Sequence, residues 1–302
     1  MRIVAALGGN ALLERGEKPD SGIQQSHVQD AVTALAPLAR AHDLIITHGN
    51  GPQIGMLALE SAQDPALSRP FPFDVLGAQT QGMIGYWLAQ ALGAAVPDRR
   101  VGCLICQTLV DRGDPAFADP AKFVGPVYPE QQAEALAAER GWVVRQDGAA
   151  WRRVVPSPEP RALVELPLIR MLVDGGVLLI CAGGGGIPVT ADETGSLHGV
   201  EAVVDKDLTA ALLGRELGAD VLLLLTDVAA IIDGFGTPEA RPVSRATPAE
   251  LRRLSLPAGS MGPKVEAACR FAEATGGMAA IGRLDDAAAL VDKKAGTVVE
   301  PG

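Results

Sequence analysis

Three lysines and three glycine-bearing turns are the residues of this chain whose types and spacing could do chemistry. Lys206, in Asp205-Lys206-Asp207, and Lys264, in Ala258-Gly259-Ser260-Met261-Gly262-Pro263-Lys264, both fall where the pattern predicts the start of a helix. A cation in a first helical turn opposes the helix dipole by about 0.3–1 kcal/mol, so neither position serves helix stability. If an anion binds there the sign reverses, because dipole, free amides and ammonium then act on it together. Lys122 is a third cation, in Asp119-Pro120-Ala121-Lys122-Phe123-Val124-Gly125-Pro126, and the prolines predict a stiff loop under it. Asp207 has two readings: it accepts hydrogen bonds from converging ammonium groups, or it caps its helix.

The glycines close three short apolar runs. Residues 3–7 end in Gly8-Gly9-Asn10, residues 43–47 in His48-Gly49-Asn50-Gly51-Pro52-Gln53, and residues 177–182 in Gly183-Gly184-Gly185-Gly186. Without a Cβ, backbone amides at a strand end can reach an anion, as phosphate loops of α/β sheets do. Four successive glycines cost about 1 kcal/mol each in chain entropy relative to alanine, so residues 183–186 are expected to approach a ligand closely. Lysines, amides and a nucleotide-borne magnesium ion suffice for phosphoryl transfer, which asks for in-line positioning and charge neutralisation rather than covalent chemistry.

Other chemistries find less support. There is no Gly-x-x-x-x-Gly-Lys-Ser/Thr loop and no Gly-x-Gly-x-x-Gly after the first strand, and Ser260 lies one position short of a nucleophile elbow. His27, His42, His48 and His198 lack metal-ligand spacing, and Cys103-x-x-Cys106 has no second pair to complete a zinc site. Residues 101–108 read instead as one buried strand containing both cysteines.

The positioning elements follow from periodicity. The apolar runs predict buried strands at 3–7, 43–47, 101–108, 177–182, 220–226, 278–281 and 296–299. Helical spacing predicts helices at 24–41 (with Pro37 as a kink or a stop), 52–61, 75–92, 161–174, 205–212, 248–254, 258–275 and 285–291. Alternation of buried strands with helices predicts an α/β fold, a three-layer αβα sandwich around an open, mostly parallel sheet. Between residues 111 and 160 the texture changes to prolines and charges, with short runs at 142–145 and 151–155 that predict a protruding hairpin subdomain. The chain has 302 residues, 48% of them hydrophobic, and a formal charge of -10, which disfavours nucleic-acid and anionic-membrane partners. No apolar run approaches the length of a membrane span, and the cytoplasm is the expected compartment.

The ordered set of motifs resembles the amino acid kinase superfamily, and within it the carbamate kinases. It comprises Gly8-Gly9-Asn10-Ala11, His48 through Gln53, residues 122–128, Trp151-Arg152-Arg153-Val154-Val155-Pro156-Ser157-Pro158, residues 183–189, Asp205-Lys206-Asp207, Thr226-Asp227-Val228 and Ala258 through Lys264. The resemblance implies a homodimeric cytoplasmic enzyme of arginine or ureide breakdown that interconverts ATP plus carbamate with ADP plus carbamoyl phosphate. It implies that Gly8, Gly9, Asn10, Gly49, Asn50 and Gly51 hold the carbamoyl and phosphoryl oxygens, and that Gly9 and Asn10 act in catalysis with Lys206, Lys122 and Asp207. Lys206, Asp227, Val228, Met261 and Lys264 would face ATP or ADP, and Mg2+ would travel on the nucleotide phosphates without a protein metal site. Residues 1–199 would form the acceptor lobe, with an insert at about 118–160, and residues 200–302 the nucleotide lobe. Where relatives carry an acid followed by aromatic residues, this chain has Ala229-Ala230-Ile231-Ile232-Asp233, which leaves nucleotide preference open. Two alternatives stand beside this reading: another small-molecule kinase of the superfamily, for example one acting on an acylated amino acid and lacking residues 142–158, and a non-catalytic nucleotide sensor.

Overall fold

Strands and helices alternate along the chain because continuous apolar runs of three to six residues are separated by longer amphipathic stretches. The computed structural model describes residues 1–14, 16–254 and 261–302, without the side chain of Asn10. The first third contains β1 (Arg2–Leu7), α1 (Ser21–Ala41), β2 (Asp43–His48), α2 (Gly51–Gln63), α3 (Phe73–Ala95), β3 (Val101–Cys103) and β4 (Gln107–Leu109). The middle contains β5 (Lys122–Tyr128), α4 (Glu130–Arg140), β6 (Val143–Asp147), β7 (Ala150–Val155), β8 (Ala162–Leu163), α5 (Leu166–Asp174), β9 (Leu178–Ile180), β10 (Ile187–Ala191) and β11 (Leu197–Gly199). The remainder contains α6 (Lys206–Leu217), β12 (Val221–Thr226), β13 (Ile231–Asp233), β14 (Arg241–Val243), β15 (Arg245–Ala246), α7 (Pro248–Leu251), α8 (Met261–Thr275), β16 (Met278–Arg283), α9 (Ala287–Val291) and β17 (Thr297–Val299).

The central sheet has the order β15-β17-β16-β12-β1-β2-β9-β3. β1 lies in its middle, parallel to both neighbours, with Ile3 opposite Val221 on one side and Leu44 on the other. Alternate side chains of β1 enter different layers: Ile3, Ala5 and Leu7 pack with α1, α3 and α9, while Val4 and Ala6 pack with α6 and α8. Burial on both faces explains why the run carries no polar alternation and makes the fold the three-layer α/β sandwich expected from the pattern. Because β12, β1, β2 and β9 are parallel, their carboxyl ends share one edge, where open α/β sheets bind ligands. Gly8, Gly49, Gly183 and Asp227 all follow strands at that edge.

Besides the β13-β14 hairpin, two smaller sheets accompany the central one. β11-β10-β4-β8 forms one, and β5-β7-β6 with α4 forms the other. The second meets the core through an apolar seam of Ile54, Phe73, Leu76, Val124, Val155 and Val203. Arg153 strengthens the seam by lying 4.7 Å from the ring centres of both Phe73 and Trp142. Among the described residues, no helix is long and apolar enough to cross a membrane.

Several local expectations are corrected. Residues 101–108 form two strands, β3 and β4, in different sheets, because the Gln81 side chain from α3 replaces a strand partner at Cys106, accepting from its N–H at 2.9 Å and donating to its C=O at 3.1 Å. Cys103 is consequently exposed while Cys106 is buried. Lys122 is the first residue of a paired strand, opposite Val155, rather than part of a loop. α4 lies where no helix was expected; its helix formers end at Gly141 with φ +66°, but only Ala133 is buried, so it has no apolar stripe to reveal it. Residues 162–163 form β8 before α5 starts, and α1 runs through Pro37 without stopping.

Candidate active site

The first turn of α6 is built around two carboxylates. Asp205 is the N-cap, its Oδ1 accepting from the Asp207 amide at 2.9 Å and the Leu208 amide at 3.3 Å. Capping is therefore done by Asp205, and the Asp207 side chain is left for other work. Asp207 accepts from Lys206 Nζ at 2.5 Å on one oxygen and from Lys264 Nζ at 3.0 Å on the other. Asp207 and Lys264 are 3% and 5% exposed, so this is a buried arrangement with one anion between two cations. Burial lowers the Lys206 pKa, and the repulsion of Lys264 adds to it, while the carboxylates of Asp207 and Asp205 pull the other way.

The glycine turns of the first two strands close on the same place. A Cβ on Gly49 would lie 2.8 Å from Gly9 N and 3.3 Å from Lys206 Cε, so absence of a side chain there lets the two turns and the lysine meet. The amides of Gly8 and Gly49 complete the strand ladder, donating to Leu225 O at 3.0 Å and Leu7 O at 2.9 Å. α2 begins at Gly51 after Asn50, with no side-chain cap on its first amides, which leaves the positive end of its dipole open toward the edge. Asn50 instead donates its side-chain amide to Thr80 Oγ1 at 2.9 Å. Asn10 lies in a single 3-10 turn, Gly9–Ala11.

The third turn does something else. A Cβ on Gly183 would enter the His48 ring, one on Gly184 the Asn50 amide, one on Gly185 the Val204 carbonyl, and one on Gly186 the Thr108 hydroxyl. At their Cβ positions residues 183–186 thus approach the chain's own groups, which accounts for their glycines by internal packing. His48, buried over this turn, donates from Nδ1 to Gly49 O at 2.9 Å, a carbonyl that can only accept. Burial pushes its pKa down to about 4, with Lys206 contributing, so the ring is neutral near pH 7.

The remaining expected residues lie around this centre. Lys122 reaches it from β5, donating to Asp205 Oδ2 at 2.6 Å. Asp227 and Val228 are exposed just past the end of β12, and Thr226 Oγ1 donates to Asp227 at 3.1 Å. Met261 opens α8 and packs against the apolar layer beneath α6. Residues 258–260 of the last motif lie outside the described residues. Asp205 and Thr80 were not singled out from the sequence; the available signal for Asp205 was the Asp-x-Asp spacing across a helix start.

Chemically, three cations and two anions converge with one open helix N-terminus, a place suited to hold and neutralise a phosphoryl group. The amino acid kinase family matches the chain over residues 1–281. The carbamate kinase of Rhizobium meliloti (strain 1021) is 51% identical, over 99% of this chain and 93% of that protein, and that of Haemophilus influenzae is 48% identical, over 98% and 96%. The solved structure of carbamate kinase from Giardia lamblia bound to AMP-PNP superposes with a TM-score of 0.91 at 38% identity, covering 100% of this chain and 98% of that one. The chain belongs to the amino acid kinase family, among its carbamate kinases.

Proposed function

We propose that this kinase transfers a phosphoryl group reversibly between ATP and carbamate, so that ADP and carbamoyl phosphate give ATP and carbamate, which breaks down to ammonia and CO2. The observation that carries the reading is Asp207 holding Lys206 and Lys264 together beside the turns at Gly9 and Gly49. In this reading Lys206 and Lys122 offset charge on the moving group, Lys264 faces the nucleotide phosphates, and Asp207 keeps two ammonium groups from separating. Gly8, Gly9, Asn10, Gly49, Asn50 and Gly51 form the acceptor side, where the dipole at the uncapped start of α2 favours the carbamoyl and phosphoryl oxygens. Asp227, Val228 and Met261 line the nucleotide side. Residues 1–199 and 200–302 then act as acceptor and nucleotide lobes meeting across the β1–β12 pair.

Both buried carboxylates of the site are committed to lysines, which supports Mg2+ arriving on the nucleotide rather than in a protein cage. Bound there, Mg2+ neutralises phosphate oxygens. We further propose a cytoplasmic homodimer serving arginine or ureide breakdown; exposed Val75 and Tyr86 on α3 support a self-association surface. The test is ATP formation, read by luminescence, when the protein meets ADP, Mg2+ and carbamoyl phosphate. Sustained ATP above an enzyme-free blank is expected, and its absence contradicts the reading.

A further inference from the structure

Asp205 uses its two oxygens differently. Oδ1 caps α6, while Oδ2 takes Lys122 at 2.6 Å. Capping does not require charge, since Asn and Ser cap about as well as Asp. A buried carboxylate in a site that attracts phosphate repels the very group it would receive, so its charge needs a reason of its own. Lys122 supplies one. It comes from the β5-β7-β6 sheet, which contacts the core through the apolar seam of Ile54, Phe73, Leu76, Val124, Val155 and Val203. That seam is non-directional: it brings the sheet near but cannot aim an ammonium group. The pair Lys122–Asp205 is directional, and 36% of the Lys122 side chain remains exposed beside a nearly buried partner. Burial works against ionisation of Asp205, but Lys122, Lys206 and the Leu208 amide together hold its pKa well below the ordinary carboxylate range.

We infer that Asp205 is a positioning residue that holds Lys122 over the first turn of α6, ready for the transferred phosphoryl group. The inference rests on the phosphoryl-transfer reading and adds a residue to it. Two carboxylates two positions apart then divide the lysines: Asp207 keeps the pair from α6 and α8, and Asp205 keeps the one delivered by the inserted sheet.

The experiment is a double-mutant cycle of Asp205→Asn and Lys122→Ala in the ATP-forming direction. Asp205→Asn is expected to fold, because the cap survives, with a melting temperature lowered by roughly 5–10 °C as the buried pairing with Lys122 is lost. Its kcat is expected to fall about 10- to 100-fold, the cost of a misplaced charged group. KM for ADP is expected to change by less than about 2-fold, since Lys206 and Lys264 stay on Asp207. In the Lys122→Ala background the same substitution should cost less than about 2-fold more, because the two residues act as one unit. Asp205→Ser, another uncharged cap, repeats the test should the Asn variant not fold. An active wild type with an equally active Asp205→Asn overturns the inference, as do fully multiplicative effects in the cycle. Loss of the fold in both cap-retaining variants also overturns it, by assigning the charge to the fold. A wild type that forms no ATP overturns the transfer reading itself, and is thereby told apart from failure of this inference alone.

Discussion

Two glycine-rich regions at the same sheet edge are put to opposite uses. At residues 183–186 every Cβ position is already filled by the chain, and three of the four glycines have φ between +66° and +91°. At Gly9 only Pro52 Cδ comes within 4 Å, at 3.6 Å, and at Gly51 nothing does. The denser run packs against His48, Asn50 and Thr108, whereas in the sparser turns Gly9 and Gly51 have space in front of them, although a Cβ on Gly8 or Gly49 would meet Leu225 O at 3.0 Å or Gly9 N at 2.8 Å. Glycine count alone therefore does not mark a ligand turn.

Substitutions can break this contrast, and the largest effect should come from the filled turn. Gly184→Ala combines φ +66° with a Cβ placed 2.2 Å from the Asn50 amide nitrogen. It should destabilise the fold by about 2–4 kcal/mol in denaturant unfolding, through backbone strain plus overpacking. A loss under about 0.5 kcal/mol would show the turn to be open after all.

A somewhat smaller effect should come from His48, the ring packed over Gly183. Its pKa in the folded protein, about 4, lies below the 6.5 of an unfolded chain, so as pH falls the unfolded state takes up the proton first. Its contribution is intact above pH 6.5 and is lost on the way down to about 4, amounting to about 3 kcal/mol. Comparing stability against pH for wild type and His48→Gln isolates this increment. Equal slopes for the two proteins across that window would be inconsistent with a neutral buried ring.

The smallest stability effect is expected at the open turn. Gly51→Ala should change unfolding free energy by less than about 0.5 kcal/mol, since alanine suits a first helical turn and meets no atom. Its methyl should instead raise KM for carbamoyl phosphate several-fold. Unchanged kinetics together with unchanged stability would remove Gly51 from the acceptor side.

Much of this molecule is legible in the sequence where burial leaves a signature. β1, β2 and β12 are continuous apolar runs because both faces are covered, and the positions of Lys206 and Lys264 stand out because a cation at a helix start needs an explanation other than stability. The same logic misses α4, whose solvent-facing residues carry no stripe although Gly141 marks its end. It misreads residues 101–108, where a glutamine from a distant helix breaks the strand. It also leaves open what the four glycines approach, because entropy cost signals close approach without saying to what. The partnership of Asp205 with Lys122 spans 83 residues, from a strand of the inserted sheet to the start of α6, a distance at which no local pattern speaks.

The central claim is that Asp207 gathers the ammonium groups of Lys206 and Lys264 into one site that neutralises a transferring phosphoryl group. The most direct measurement is kcat for ATP formation from ADP and carbamoyl phosphate by Lys206→Ala beside wild type, with both proteins verified as folded by thermal melting. A fall of about 1,000-fold or more, equivalent to about 4 kcal/mol of transition-state stabilisation, is the predicted result. A folded Lys206→Ala protein retaining kcat within about 10-fold of wild type would contradict it.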